Sequence, residues 1–185
     1  MTSSTASLRG MVYAAMFGAL TAVGAFISIP LYPVPITLQT LFTALAGLLL
    51  GGYYGALSQV VYVLLGVMGL PLFNGGKSGL GVLLGPTGGY LVGFVLGAYV
   101  TGRIAQARKN PGIPWLCLSV ALGYAVVYAA GITQLSFVAH LSLRKALLVG
   151  VLPFVIGDIL KCAAAGLLAS RIRKQPFFAH RPGPA

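Results

Sequence analysis

The chain has 185 residues, 58% of them hydrophobic and only 7% charged, with a mean hydropathy of +0.94. A water-soluble domain devotes roughly a quarter of its residues to charge, so this composition excludes a solvated globule and makes lipid the main solvent. Twelve Lys and Arg against one acidic residue give a formal charge of +11. These cations stand between apolar runs and at their ends, not among exposed aromatics, which argues for membrane topology and against a nucleic-acid partner.

Six apolar stretches follow in chain order, running from about Gly10 to Ile29, Ile36 to Leu50, Tyr53 to Leu70, Gly88 to Ala107, Trp115 to Leu135 and Leu147 to Leu168. A helix needs about 20 residues to cross the hydrocarbon. The first stretch resembles a secretory signal core but exceeds its usual length and is followed by further spans, so it is read as retained. The second is short and only Gly51 and Gly52 part it from the third, which suggests a tight hairpin. The expected fold is all-α: an integral membrane bundle of six transmembrane helices. It forms one domain over residues 1–174, followed by a disordered tail over 175–185.

Six crossings place Arg9, Arg103, Arg108, Lys109, Arg171, Arg173, Lys174 and Arg181 on one side and Lys77, Arg144 and Lys145 on the other. The richer side is cytoplasmic by the positive-inside rule, so both termini are expected there, in a multi-pass protein of the cell membrane.

The outer connections are unusual. The first carries three prolines (Pro30, Pro33, Pro35), which cannot continue a helix and favour extended backbone; it is expected to act as a lid. The second holds two glycine clusters, Asn74-Gly75-Gly76 and Gly85-Pro86-Thr87-Gly88-Gly89-Tyr90, around Leu80, Val82, Leu83 and Leu84. Glycine-rich backbone can approach a ligand closely, and the apolar residues suggest a segment tucked into the protein. A semi-polar stretch from Ser136 to Ser142, containing His140, reads as a short interfacial helix.

The sole acidic residue, Asp158, lies in the sixth run three positions before Lys161. That spacing puts both on one helix face. Each ion costs about 2.5–3.5 kcal/mol at the centre of a bilayer, so both are expected to face the bundle interior and to serve ligand contact. A purely structural ion pair is the alternative, although buried pairs add little net stability.

Catalysis fits poorly: there is no second carboxylate for acid–base work, no Cys/His metal set, and no credible Ser/His/Asp set from His140 or His180. Cys117 and Cys162 read as small packed hydrophobes. No phosphate loop is present, so ATP hydrolysis would need partners. Asp158 as a proton relay leaves open a self-sufficient, proton-linked secondary transporter. Ala15 and Ala19, and Gly18 and Ala22, make small-xxx-small pairs on the first span, suited to helix packing within this subunit or against a partner.

Three segments in order resemble signatures of the biotin transporter BioY family: Pro33-Val34-Pro35-Ile36-Thr37-Leu38-Gln39-Thr40, Asn74-Gly75-Gly76 through Gly85-Pro86-Thr87-Gly88-Gly89-Tyr90, and Gly157-Asp158-Ile159-Leu160-Lys161. The similarity runs from about residue 10 to 172. It implies a substrate-binding S component of an energy-coupling factor transporter, with biotin bound near the outer face and no other cofactor. The implied partners are a transmembrane coupling subunit and cytoplasmic ATPases of the ABC type. The resemblance further implies that Asn74, Asp158 and Lys161 contact biotin and that the first helix, with Ala15 and Ala19, docks the coupling subunit. The chemistry agrees: ionised Asp158 only accepts and suits a ureido N–H, Lys161 only donates and suits the ureido oxygen or the carboxylate, and Asn74 does both. Tyr90, Gln39 and Thr37 are further pocket candidates, and the amides of the Gly85–Tyr90 turn are candidates for holding a carboxylate.

Overall fold

The computed structural model describes residues 2–174, with side chains from residue 7 onward; the expected tail, with His180 and Arg181, lies outside the described residues. Helix α1 (Thr2–Phe26) leads through a two-stranded antiparallel ribbon, β1 (Ser28–Ile29) and β2 (Ile36–Thr37), into α2 (Gln39–Val67). A one-turn 3-10 segment (Asn74–Gly76) and the short α3 (Leu80–Leu83) precede α4 (Gly88–Gln106) and α5 (Ile113–Val138). The chain ends in α6 (Leu143–Gly150), a 3-10 turn (Leu152–Phe154) and α7 (Val155–Ile172).

Four helical stretches are long and apolar enough to cross a membrane: Ser7–Phe26, Gln39–Val67, Ile113–Val138 and Leu143–Ile172. Large apolar side chains such as Met11, Val12, Leu64, Leu96, Leu122, Ile156 and Leu160 are exposed on the bundle's outside, as lipid-facing side chains must be. The protein is thus a mostly helical, multi-pass membrane protein.

Helix α2 is not straight. Gly51 at φ 83° breaks it, a left-handed conformation that glycine adopts without steric cost. The segments on either side fold back on each other: a Cβ built on Gly55 would lie 2.9 Å from the Cα of Gly47. Gln39 Nε2 donates to the Tyr62 hydroxyl at 2.7 Å across 23 positions, where a straight helix would separate them by about 34 Å. The hairpin read from Gly51-Gly52 is therefore present, with a first arm over residues 39–50 and a second over 52–67.

Polar atoms inside the bundle are joined across helices. Gln59, fully buried, donates to Thr21 at 3.1 Å and accepts from Thr43 at 3.2 Å, tying α1 to both arms. Such bonds and close backbone approach hold helices together in lipid, where apolar burial between helices gives no drive. The N-terminal half of α1, the hairpin tip, the end of α4, the start of α5 and the end of α7 gather at one end. There Gln106 Oε1 accepts from Gly52 N at 3.2 Å, Trp115 Nε1 donates to the Ile104 carbonyl at 2.9 Å, and Arg108 lies 3.9 Å over the Trp115 ring.

Three expectations are corrected. The expected interfacial helix over Ser136–Ser142 is instead the end of α5 and a turn, with His140 at φ 50°. The short helix falls later, as α6, where Ser142 caps the Lys145 amide. The sixth apolar run is not one helix from Leu147, because Pro153 lacks an amide hydrogen and cannot sit inside a continuous helix; α7 starts only at Val155. Finally, α3 is tucked in on one side alone: Val82 and Leu83 pack on the core while Leu80 and Leu84 are exposed.

A Cβ added at Gly102 would lie 2.3 Å from backbone atoms of Gly51 and Gly52, whereas one at Gly157 meets nothing within 4 Å. Gly102→Ala is expected to destabilise the protein by about 1–3 kcal/mol through overpacking, and Gly157→Ala to stabilise it by up to about 1 kcal/mol through helix propensity. Thermal unfolding of both variants in detergent checks the pair; equal midpoints would contradict the tight tip packing.

Candidate functional site

The end opposite the hairpin tip encloses a cavity of about 550 Å3, within the usual range for small-molecule sites. Its lip comes from the Pro30–Pro35 loop, Asn74, Lys77, Gly81 and the Gly85–Thr87 turn. Its floor and walls come from Tyr90, Leu91 and Phe94 on α4, Val127 and Tyr128 on α5, Phe154, and Lys161 on α7. Thr37, Gln39, Asn74, Tyr90 and Lys161 all line it; Asp158 does not.

Asp158 stands directly behind that wall. Its Oδ1 accepts from Lys161 Nζ at 2.9 Å and from the Thr40 hydroxyl at 3.3 Å, and Lys161 Nζ also donates to Thr40 Oγ1 at 3.1 Å. The Tyr128 hydroxyl donates to Oδ2 in a short bond. The couple is 6% and 8% exposed respectively, so its charges face each other in a poorly solvated interior, and the three-helix set of donors satisfies both carboxylate oxygens. Lys161 has three donors and two are engaged, which leaves one for the cavity. The Tyr128 oxygen keeps acceptor capacity beside it.

The other expected residues are held by their own bonds. Asn74 Nδ2 donates to the Ala25 carbonyl at 2.9 Å, fixing the 3-10 turn to the end of α1. Thr37 Oγ1 donates to Gln39 Oε1 at 2.9 Å, Gln39 Nε2 donates to Tyr62, and the Tyr62 hydroxyl donates to the Leu72 carbonyl at 3.2 Å. This chain of bonds spends much of the polarity of Thr37 and Gln39 on joining the ribbon to the hairpin. Tyr90 gives its hydroxyl to the Gly150 carbonyl at 2.9 Å and presents its ring, which meets Tyr128 edge-on at 6.3 Å; Phe154 continues the aromatic wall. In the Gly85–Tyr90 turn the Gly88 and Tyr90 amides donate to the Gly85 and Thr87 carbonyls, so neither is a spare donor for an anion.

Sequence reasoning missed Thr40, Tyr128 and Gln134. The last donates to the Leu83 and Gly85 carbonyls at 2.7 and 2.8 Å and pins the glycine turn from α5. A hydroxyl or amide within an apolar run needs a partner when buried, a signal these three share with the other Ser, Thr, Tyr and Gln residues of the apolar runs. On α1, Ala15 and Ala19 are exposed, while Gly18 and Ala22 are buried, Gly18 against the backbone of Ser58.

A helical bundle that turns apolar side chains outward around a polar-floored cavity is a membrane protein with a site for a small solute. A sequence profile described as BioY family matches residues 1–176. "Biotin transporter BioY" of Thermotoga maritima is 48% identical over 167 residues, covering 90% of this chain and 97% of that protein. "Probable biotin transporter BioY" of Pyrococcus horikoshii is 40% identical, covering 86% and 93%. The crystal structure of an "S-component for biotin from an ECF-type ABC transporter" superposes with a TM-score of 0.83 at 30% identity, covering 91% of this chain and 93% of that one. The chain belongs to the BioY family.

Removing one member of a buried ion pair strands the other, at a cost of about 3–5 kcal/mol. Asp158→Asn is expected to lower the unliganded protein's stability by about that much, and Tyr128→Phe by only about 1–3 kcal/mol through the lost donor. Detergent unfolding curves with equal losses would show that Asp158 acts as a hydrogen-bond acceptor and not as a counter-ion.

Proposed function

We propose that this chain is the biotin-binding S component of an energy-coupling factor transporter of the cell membrane. It captures biotin at the outer face, and a transmembrane coupling subunit with cytoplasmic ABC-type ATPases energises uptake. Residues 1–174 form the single binding domain. Its six membrane segments are α1, the two arms of α2, the first of them stopping short of the outer face, α4, α5 and α7, with α6 lying at the outer interface. Both termini are cytoplasmic, since the end that gathers the hairpin tip also carries Arg9, Arg103, Arg108, Lys109, Arg171, Arg173 and Lys174.

The observation that carries this reading is the Lys161 ammonium, locked by Asp158 and Thr40 yet lining a cavity with apolar and aromatic walls. Biotin has a polar ureido ring, an apolar thioether ring and a carboxylate tail. Lys161 donates to the ureido oxygen, and Asn74 Oδ1 accepts from a ureido N–H. For the other N–H to reach Asp158 it must take the place of the Tyr128 hydroxyl on Oδ2, so that tyrosine tunes the contact. Tyr90 stacks its ring against the apolar body, and Thr37 and Gln39 shape the lip. Both Asp158 oxygens are held by Lys161, Thr40 and Tyr128, which supports a fixed platform for the ligand over a relay that must release its partners to take up a proton.

Mass spectrometry of the purified protein is expected to find biotin. Lys161→Ala is expected to weaken biotin binding at least about thirtyfold, the scale for truncating one partner of a buried charge pair. Near-wild-type affinity in folded Lys161→Ala and Asp158→Asn would sink the site. Ala15→Trp and Ala19→Trp, on the exposed face of α1, are expected to leave biotin affinity unchanged while abolishing uptake in cells that supply the partner subunits; undiminished uptake would remove α1 as the docking surface.

A further inference from the structure

The cavity is electrically uneven along its depth. At its floor the Lys161 charge is answered by Asp158 at 2.9 Å, so that pair is neutral as a unit. Lys77 lines the same cavity at its lip. Asp158 is the only acidic residue in the chain and is already engaged; among the described residues Lys77 therefore has no counter-ion. A cavity of this make-up holds one unanswered positive charge, at its outer edge.

The backbone under that charge is held in place. Phe73 N–H donates to the Lys77 carbonyl at 3.0 Å, and Gly76 N–H to the Phe73 carbonyl at 3.0 Å. Gly75 and Gly76, at φ 70° and 71°, make the intervening turn, and two residues on Gly79 N–H donates to the Gly66 carbonyl at 2.8 Å. Asn74, in the same turn, is tied to α1 through Ala25. The Lys77 stem thus starts from a fixed point with its ammonium free. Arg144 and Lys145 share the outer end but do not line the cavity, so a general need for surface charge does not account for where Lys77 sits.

Resting on the proposed reading of biotin as the occupant, we infer that the vitamin lies with its ureido ring on the Lys161 floor and its carboxylate at the lip, where Lys77 binds it and sets the preference for the free acid over neutral derivatives. A charge-assisted bond at a partly solvated lip is worth about tenfold in affinity, and it is weakened by salt because the Debye length is only about 8 Å at physiological ionic strength.

The test titrates purified wild-type protein, Lys77→Gln and Lys77→Arg in detergent with biotin and with biotin methyl ester, at low and high salt. The wild type is expected to prefer the acid by about tenfold. Lys77→Gln is expected to lose that preference while binding the ester within about twofold of wild type, which also certifies its fold. Lys77→Arg is expected to restore the preference, and added salt to erode it in the wild type and in Lys77→Arg but not in Lys77→Gln. A Lys77→Gln protein that keeps the wild-type ratio of acid to ester overturns the inference, as does loss of that ratio in Lys161→Gln instead. Wild-type protein that binds both ligands equally refutes the role of Lys77 while leaving biotin as the occupant; wild-type protein that binds neither refutes both.

Discussion

One buried ion pair organises the cavity-bearing half of the bundle. Asp158 and Lys161 each carry a charge that lipid opposes by about 2.5–3.5 kcal/mol, and three residues of spacing on α7 set them on one face. Apart from one Lys161 donor left toward the cavity, their partners are Thr40 at the start of α2 and Tyr128 in the middle of α5. Those two contacts fix where the first arm of the hairpin and α5 stand relative to α7, and so where the cavity floor lies. The proposed binding site and a helix junction share these atoms, which would tie the affinity of one to the stability of the other.

The half that holds the hairpin tip depends on a different device. Lipid offers no apolar drive for helices to associate, and this end is held by backbone brought to van der Waals contact, while a small polar cluster about Gln59 ties α1 to both arms nearer the middle. Gly102 lets α4 touch the hairpin tip, and Gly55 lets the two arms touch each other. The result is a densely packed tip end opposite a cavity end built of loops, short helices and one short ribbon. Rigid packing on one side leaves the loops about the cavity as the segments most able to move.

How far the sequence reveals this architecture depends on whether a residue's environment is local or tertiary. The ion pair is legible because a single acidic residue in a lipid-soluble chain has so few places to be. The hairpin is legible because two consecutive glycines interrupt runs too short to stand apart. Thr40 and Tyr128 are not, since periodicity counts a tyrosine as apolar and cannot say which hydroxyl will meet a carboxylate 30 or 118 positions away. The break before α7 was signalled by Pro153, but the surrounding hydrophobicity masks it. Ala15 and Ala19 cannot be told from Gly18 and Ala22 by spacing; only the position of Ser58 on the second arm decides which pair is covered. At the glycine turn, Leu80 and Leu84 differ from Val82 and Leu83 by the sense of one helical turn, a detail set by what α5 presents to it.

The hairpin's unequal arms fix the depth at which solute is held. From a tip level with Arg103 and Gln106, twelve residues of helix climb about 18 Å, while the hydrocarbon is about 30 Å thick. With that tip at the inner surface, as proposed, the first arm stops roughly 12 Å short of the far surface, and Thr40 begins below it. A well sunk that far would hold a solute more than a third of the way across the bilayer before any conformational change, so that inward release calls for a new exit rather than a long journey.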